Sequence, residues 1–203
     1  MSVVEWSEIR AELLAMRRED EALREELARD GSLFDSEGYH PRMEEIHRRN
    51  ASRLAAILDQ DGWPGRSRVG EDGAAAAWLV LQHAIGDPAL MRRGLALLEA
   101  AAARGDASAQ HVAMLEDRVR VLEGRPQRYA TQFDWDESGE LSPLPIEEPA
   151  RVDERRRRMG LPPLEPDLRR RREEALRGPE HPPADWDARN RRLEAWLREV
   201  GWR

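Results

Sequence analysis

The start of the chain carries an apolar stripe. Trp6, Ile9, Leu13, Met16, Leu23 and Leu27 recur at spacings of three, four or seven with charged residues between them, the pattern of an amphipathic helix. Asp20 occupies the stripe between Met16 and Leu23, and Asp30-Gly31 ends the helix. After Tyr39-His40-Pro41, a second helix places Met43, Ile46, Leu54, Ile57 and Leu58 inward, with Asn50 on the same face. Asp61-Gly62-Trp63-Pro64-Gly65 breaks it, because Gly and Pro oppose continuation, and a loop is expected up to Gly70. A third helix over 71–85 is almost free of charge through Ala74, Trp78 and Leu81, so it is expected at the centre of the fold. Asp87-Pro88 opens a fourth helix as cap and first residue, with Leu90, Met91, Leu95, Leu97 and Leu98 as its apolar positions. A turn at Arg104-Gly105-Asp106 follows, Asp106 capping a fifth helix that carries Val112, Leu115, Val119 and Leu122 and stops at Gly124.

Beyond Pro126 the texture changes. Residues 128–135 and 141–146 flank Asp136-Glu137-Ser138-Gly139 and predict a β-hairpin or extended segment. Helices are expected near 165–177 and 184–200, joined by a Pro-rich linker over 178–183. The expected fold is mainly α: a compact bundle of about five core helices over residues 1–164, a small hairpin, and a charged helical arm over 165–203.

Composition narrows the class. Charged residues at 36% against 40% hydrophobic ones describe a polar chain that still has enough apolar surface to fold. Seven Trp against two Tyr and two Phe make Trp63, Trp78, Trp135, Trp186 and Trp196 the expected packing anchors. With no cysteine, disulfides, thiolate metal sites and cysteine nucleophiles are excluded. The N-terminus lacks the pattern of a signal peptide and no apolar run approaches the ~20 residues that span a bilayer, so the chain is expected to be soluble and cytoplasmic with no membrane partner. A net charge of −7 disfavours nucleic acid as a partner. The arginine runs at 155–158 and 169–172 are flanked by Asp153, Glu154, Glu173 and Glu174 and read as solvated, ion-paired helix faces rather than as docking patches for RNA or an acidic partner. Residues 95–110 resemble one helix-turn-helix unit of a tetratricopeptide or Sel1 solenoid, but such arrays need about three units.

The candidate chemistry lies in polar residues on apolar stripes: Asp20, Asn50, Gln82, His83, His111, Asp117 and Arg118. An unpaired buried polar group costs roughly 2–7 kcal/mol, so each is expected to have a partner. One reading is a buried network that holds the helices in register; the other is a site. In the second, His83 is the acid or base, Asp20 or Asp117 orients it, and Arg118 with Gln132 clamps an anionic group. Gln127, Tyr129, Thr131 and Gln132 form a polar lid, and Trp63 and Asn50 complete the ligand-binding set. His47, His83 and His111 with nearby carboxylates are weighed as metal ligands, and His47 and Asn50 share a helical face three residues apart. No H-E-x-x-H spacing exists, and no metal site is assigned. P-loop, G-x-G-x-x-G and G-x-S-x-G motifs are likewise missing, so serine and threonine nucleophiles are unsupported, and the cofactor is unknown.

Gly62-Trp63-Pro64, Gln82-His83-Ala84, Asp117-Arg118 and Gln127-Arg128-Tyr129-Ala130-Thr131-Gln132 together resemble the marks of an uncharacterised bacterial domain-of-unknown-function family. The resemblance covers residues 8–164 and implies no established activity. Ala130 stands where the family's last motif has glycine, which puts a positive φ there in doubt. Two functional expectations follow. One is a small helical enzyme or ligand-binding protein, with its pocket between the third and fifth helices and an unknown small molecule or peptide as its ligand. The other is a protein-interaction module that binds a protein partner through its C-terminal arm, its polar cluster being purely structural.

Overall fold

A computed structural model describes residues 5–35, 39–178 and 181–203. Among the described residues the fold is mainly α with one small antiparallel sheet. The described residues divide into two compact units: 5–27 with 39–111, and 28–35 with 112–178 and 181–203.

The first unit is built on Trp6–Arg29 (α1), whose buried residues Ile9, Leu13, Met16, Asp20, Leu23 and Leu27 follow the stripe read from the sequence, while Trp6 at its start is half-buried. Ser32–Asp35 (α2) is a single turn assigned to the second unit, and Pro41–Asp61 (α3) follows. α3 starts under its own cap, His40 accepting from Arg42 N–H, and ends at Gly62 with φ 74°. α1 and α3 run antiparallel, since their ion pairs connect ascending positions of one to descending positions of the other. Glu12 meets Arg53, Glu19 meets Arg49 and Glu26 meets Arg42. All 33 basic residues of the chain are arginine. The bidentate guanidinium forks at Arg53 and Arg42 fix this register more firmly than a lysine point charge would.

Arg66–His83 (α4) starts earlier than the expected 71, because Arg66–Val69 already form a turn before a kink at Gly70, φ 74°, a conformation that glycine adopts without a Cβ clash. Asp106, expected to cap the helix after it, reaches back to this one: its carbonyl accepts from Arg66 N–H and its Oδ1 from Ser67 N–H. Gly65 allows the approach, since a Cβ there would lie 2.0 Å from Asp106 Oδ2. Pro88–Ala103 (α5) is capped by Asp87, which accepts from Leu90 N–H at 2.9 Å. α5 crosses α4 closely at Gly94, where a Cβ would meet Leu81 at 2.5 Å. α3, α4 and α5 pack on one another.

Ala109–Leu122 (α6) carries the chain into the second unit. There Phe133–Trp135 (β1) and Leu141–Pro143 (β2) form the hairpin, in register Phe133 to Pro143 and Trp135 to Leu141. Asp136 organises its turn by accepting from the Ser138 hydroxyl and amide, the Glu140 amide and the Ser142 hydroxyl, which lowers its carboxyl to about 2. Val152–Arg158 (α7) and Leu164–Arg177 (α8) pack on each other, and α8 also lies on β2. Trp186–Glu199 (α9) is tied to the hairpin through Trp186 Nε1 donating to the Trp135 carbonyl at 2.9 Å and Arg189 paired with Asp134. The expected linker over 178–183 falls partly outside the described residues. Of the indoles, Trp63 and Trp202 are the buried ones, while Trp78, Trp135, Trp186 and Trp196 are half-buried.

The run 155–158 differs from the sequence reading. Arg155 and Arg156 are buried, Arg156 completely. Arg156 donates from Nε to the Pro162 carbonyl at 2.6 Å and from Nη1 to the carbonyls of Tyr129 and Ala130; from Nη2 it donates to Asp167 at 2.8 Å. A guanidinium can be buried where several oxygen acceptors take its N–H groups, and the short α7 turns two of its four arginines inward to find them.

Candidate functional site

In the first unit three buried or half-buried polar groups converge from three helices. α1 supplies Asp20, α3 supplies His47 and α4 supplies His83 as its last residue. Asp20 Oδ2 lies 2.9 Å from His47 Nε2 and 2.6 Å from His83 Nδ1. The two imidazole rings are 4.6 Å apart and tilted by 37°. Behind them the Tyr39 hydroxyl is hydrogen-bonded to His47 Nδ1 and reaches the His83 carbonyl at 3.5 Å. Asp20 and His47 are buried; the His83 side chain retains 22% exposure.

An ionised carboxylate only accepts, so His47 donates from Nε2 and His83 from Nδ1. His47 Nδ1 is then the acceptor for the tyrosine hydroxyl, and one proton inventory satisfies the whole chain of bonds. Burial pushes the Asp20 carboxyl up, but the hydrogen bonds it accepts from His47 and His83 outweigh it and hold the group well below the usual carboxylate range. Asp20, His47 and His83 each offer one ligand atom, and all three atoms lie within 4.8 Å of one another.

His111 is placed differently. It stacks on Trp78 with centroids 4.1 Å apart, its carbonyl accepts from Trp78 Nε1, and burial together with the Arg66 charge pushes its imidazole down. Trp63 borders a hollow about the size of one water with Arg66, Ser108 and His111, and its buried Nε1 meets no acceptor among the described residues. Asn50 and Gln82 are buried on α3 and α4.

The other predicted residues belong to the second unit. Asp117, completely buried on α6, receives the amides of Arg128, Tyr129 and Thr131 and the Thr131 hydroxyl, all between 2.7 and 3.1 Å. Burial pushes its carboxyl up, against the pull of these four donors. Gln127, also fully buried, closes the same segment by donating to the carbonyls of Gln132 and Leu144 and accepting from Gln132 N–H. Tyr129 and Thr131 are buried, and Gln132 donates to Thr131 Oγ1 at 3.2 Å. Burial raises the Tyr129 phenol to about 12. Arg118 is half-buried on α6. Ala130 has φ 53° despite being no glycine: the Asp117 cradle on one side and Arg156 on its carbonyl hold the turn. Residues 127–132 therefore form a latched turn, with Asp117 and Arg156 as its two fasteners.

Two residues of the histidine cluster escaped the sequence's candidate set. The sequence offers His47 beside Asn50 as a metal ligand or equally as a surface or capping residue, although it lies on the buried stripe with Met43, Asn50 and Leu54 as plainly as Asp20 does on α1. Tyr39 precedes α3 in a loop, where periodicity gives no signal.

One family profile matches residues 7–177 of the chain, described as "Family of unknown function (DUF6624)". The chain belongs to this family. The DUF6624 match contains all of α1 except Trp6, runs to the end of α8 and leaves α9 outside. No curated protein and no solved structure matches the chain. Among the described residues no helix is long and apolar enough to cross a membrane.

Proposed function

We propose that this chain is a small catalytic or ligand-binding protein whose working site is the His83–Asp20 pair, with His47 and Tyr39 behind it. The observation that carries the reading is the 2.6 Å bond from His83 Nδ1 to a buried carboxylate, made by an imidazole that keeps 22% of its side chain exposed. Such a bond fixes the tautomer and orientation of an imidazole, which then meets its ligand as an acid or a base. Asp20 is the orienting group; Asp117 shapes the 127–132 turn. The cytoplasmic setting is part of this proposal, as is the idea that the motifs around Gln82-His83, Asp117-Arg118 and Gln127–Gln132 mark a bacterial family.

The test is a thermal-shift screen of the wild-type protein and His83→Ala against nucleotides, amino acids and short peptides, run with chelator present. A ligand that binds only the native state raises the melting temperature by mass action. A shift present in the wild type and lost in His83→Ala supports the reading; a shift that survives the substitution refutes it. A second reading, a protein-interaction module, is favoured by Leu176 on α8, which is 85% exposed, and by Leu193 on α9, 40% exposed. It predicts that Leu176→Asp abolishes binding to a protein partner with no change in folding.

A further inference from the structure

We infer that Asp20 Oδ2, His47 Nε2 and His83 Nδ1 form a binding site for one divalent transition-metal ion of the zinc class. The inference rests on the reading of this cluster as the working site and names its ligand.

The register of the α1–α3 seam supplies the first argument. On either side of Asp20 the seam is closed by arginine: Glu12 to Arg53, Glu19 to Arg49 and Glu26 to Arg42. At its buried centre the carboxylate meets two imidazoles instead. A purely structural pair there would be served by the same guanidinium fork, whereas two imidazoles and a carboxylate are a donor set suited to zinc, cobalt, nickel or ferrous iron and poorly suited to magnesium or calcium. Burying a carboxylate is costly unless positive charge accompanies it, and a divalent ion provides that charge at the point where the three donors converge.

Geometry and proton balance agree with this. Metal–ligand bonds of about 2.0–2.2 Å place tetrahedral donors about 3.3 Å apart, so the imidazole nitrogens have to retreat from Asp20 by only roughly 0.4–0.7 Å. Each imidazole must present a lone pair where it now presents a proton. For His47 that proton moves to Nδ1, where the Tyr39 hydroxyl turns from donor to acceptor and points its own O–H toward the His83 carbonyl 3.5 Å away; for His83 the proton moves from Nδ1 to Nε2. A hydroxyl is the group that serves both states, which makes Tyr39 a positioning residue for the ligand His47. Three protein donors leave a further coordination position, reached from the exposed edge of His83.

The experiment uses the full chain without a histidine tag, stripped with chelator and titrated with Zn²⁺ and Co²⁺ by calorimetry and by the visible absorption of the cobalt form. One equivalent is expected to bind in the micromolar range or tighter, unaffected by excess Mg²⁺. Asp20→Asn and His47→Gln each weaken it at least roughly tenfold, Tyr39→Phe by about tenfold, and His181→Ala leaves it unchanged. Circular dichroism establishes that each variant is folded, and the wild-type titration is decisive without them. Failure of the wild type to bind either ion, or equal affinity in wild type, Asp20→Asn and His47→Gln, overturns the inference. If the ion fails to bind while a ligand shift seen in chelator is still lost in His83→Ala, the metal falls and the proposed function stands.

Discussion

Replacing Asp117 separates a latch from a catalytic acid. The side chain is completely buried and its two oxygens take the amides of Arg128, Tyr129 and Thr131 together with the Thr131 hydroxyl. Asp117→Ala strands these donors in a space that water reaches poorly, at about 1–3 kcal/mol for each buried group left unsatisfied. The carboxylate itself is costly to bury, as its raised pKa shows, and its removal recovers part of the loss. The expected net destabilisation is about 3–5 kcal/mol, at the upper end of single substitutions. Asp117→Asn keeps one acceptor but turns an N–H₂ toward the Thr131 donors, for an expected loss of about 2–3 kcal/mol. Because the chain forms two compact units, the local readout is amide hydrogen exchange across 127–132, with urea unfolding as the global one. Both variants should lose protection at Tyr129 and Thr131 first. An Asp117→Ala protein within about 1 kcal/mol of wild type, with exchange at those amides unchanged, would refute the latch.

Other outcomes follow from the same contacts. Ala130 holds φ 53°, so Ala130→Gly should stabilise the protein by about 1 kcal/mol in urea unfolding, and a loss of stability would mean that the turn is not strained. Arg156→Ala removes the partner of Asp167 and of three carbonyls; a drop of roughly 3–5 kcal/mol is expected, with Arg156→Lys intermediate because one ammonium cannot reach every acceptor. The Asp20 carboxyl sits below its ordinary value of 3.8, so its stabilisation is present above that pH and is lost as pH falls below it toward the folded value. Asp20→Asn should therefore flatten the acid limb of the stability profile below about pH 4, and an unchanged limb would contradict the assigned network.

What the sequence made legible was whatever periodicity reports. The α1 stripe is buried from Ile9 to Leu27, with Trp6 at its start half-buried, and Asp20 stood out because it interrupts that stripe. His83 stood out because α4 is nearly uncharged around it. Periodicity says that a polar residue faces inward but not which partner it meets, which is why Asp20 and Asp117 were equal candidates for orienting His83. The partners of Asp117 are backbone amides, groups that every residue carries and no side-chain pattern marks. Arg156 was misread for a related reason: a run of four like charges was treated as one solvated face, yet its acceptors are carbonyls near 130 and 162 that only the folded chain brings to it. Ala130 shows the converse, since tertiary contacts impose a backbone conformation that the residue itself disfavours.

The most direct test of the account is the tautomer of His83. Long-range proton–nitrogen NMR of the imidazole rings in metal-free protein should find His83 protonated at Nδ1, with a strongly deshielded proton that disappears in Asp20→Asn. His83 protonated at Nε2 alone, or a ring spectrum indifferent to Asp20→Asn, would contradict the hydrogen bond on which the working site is built.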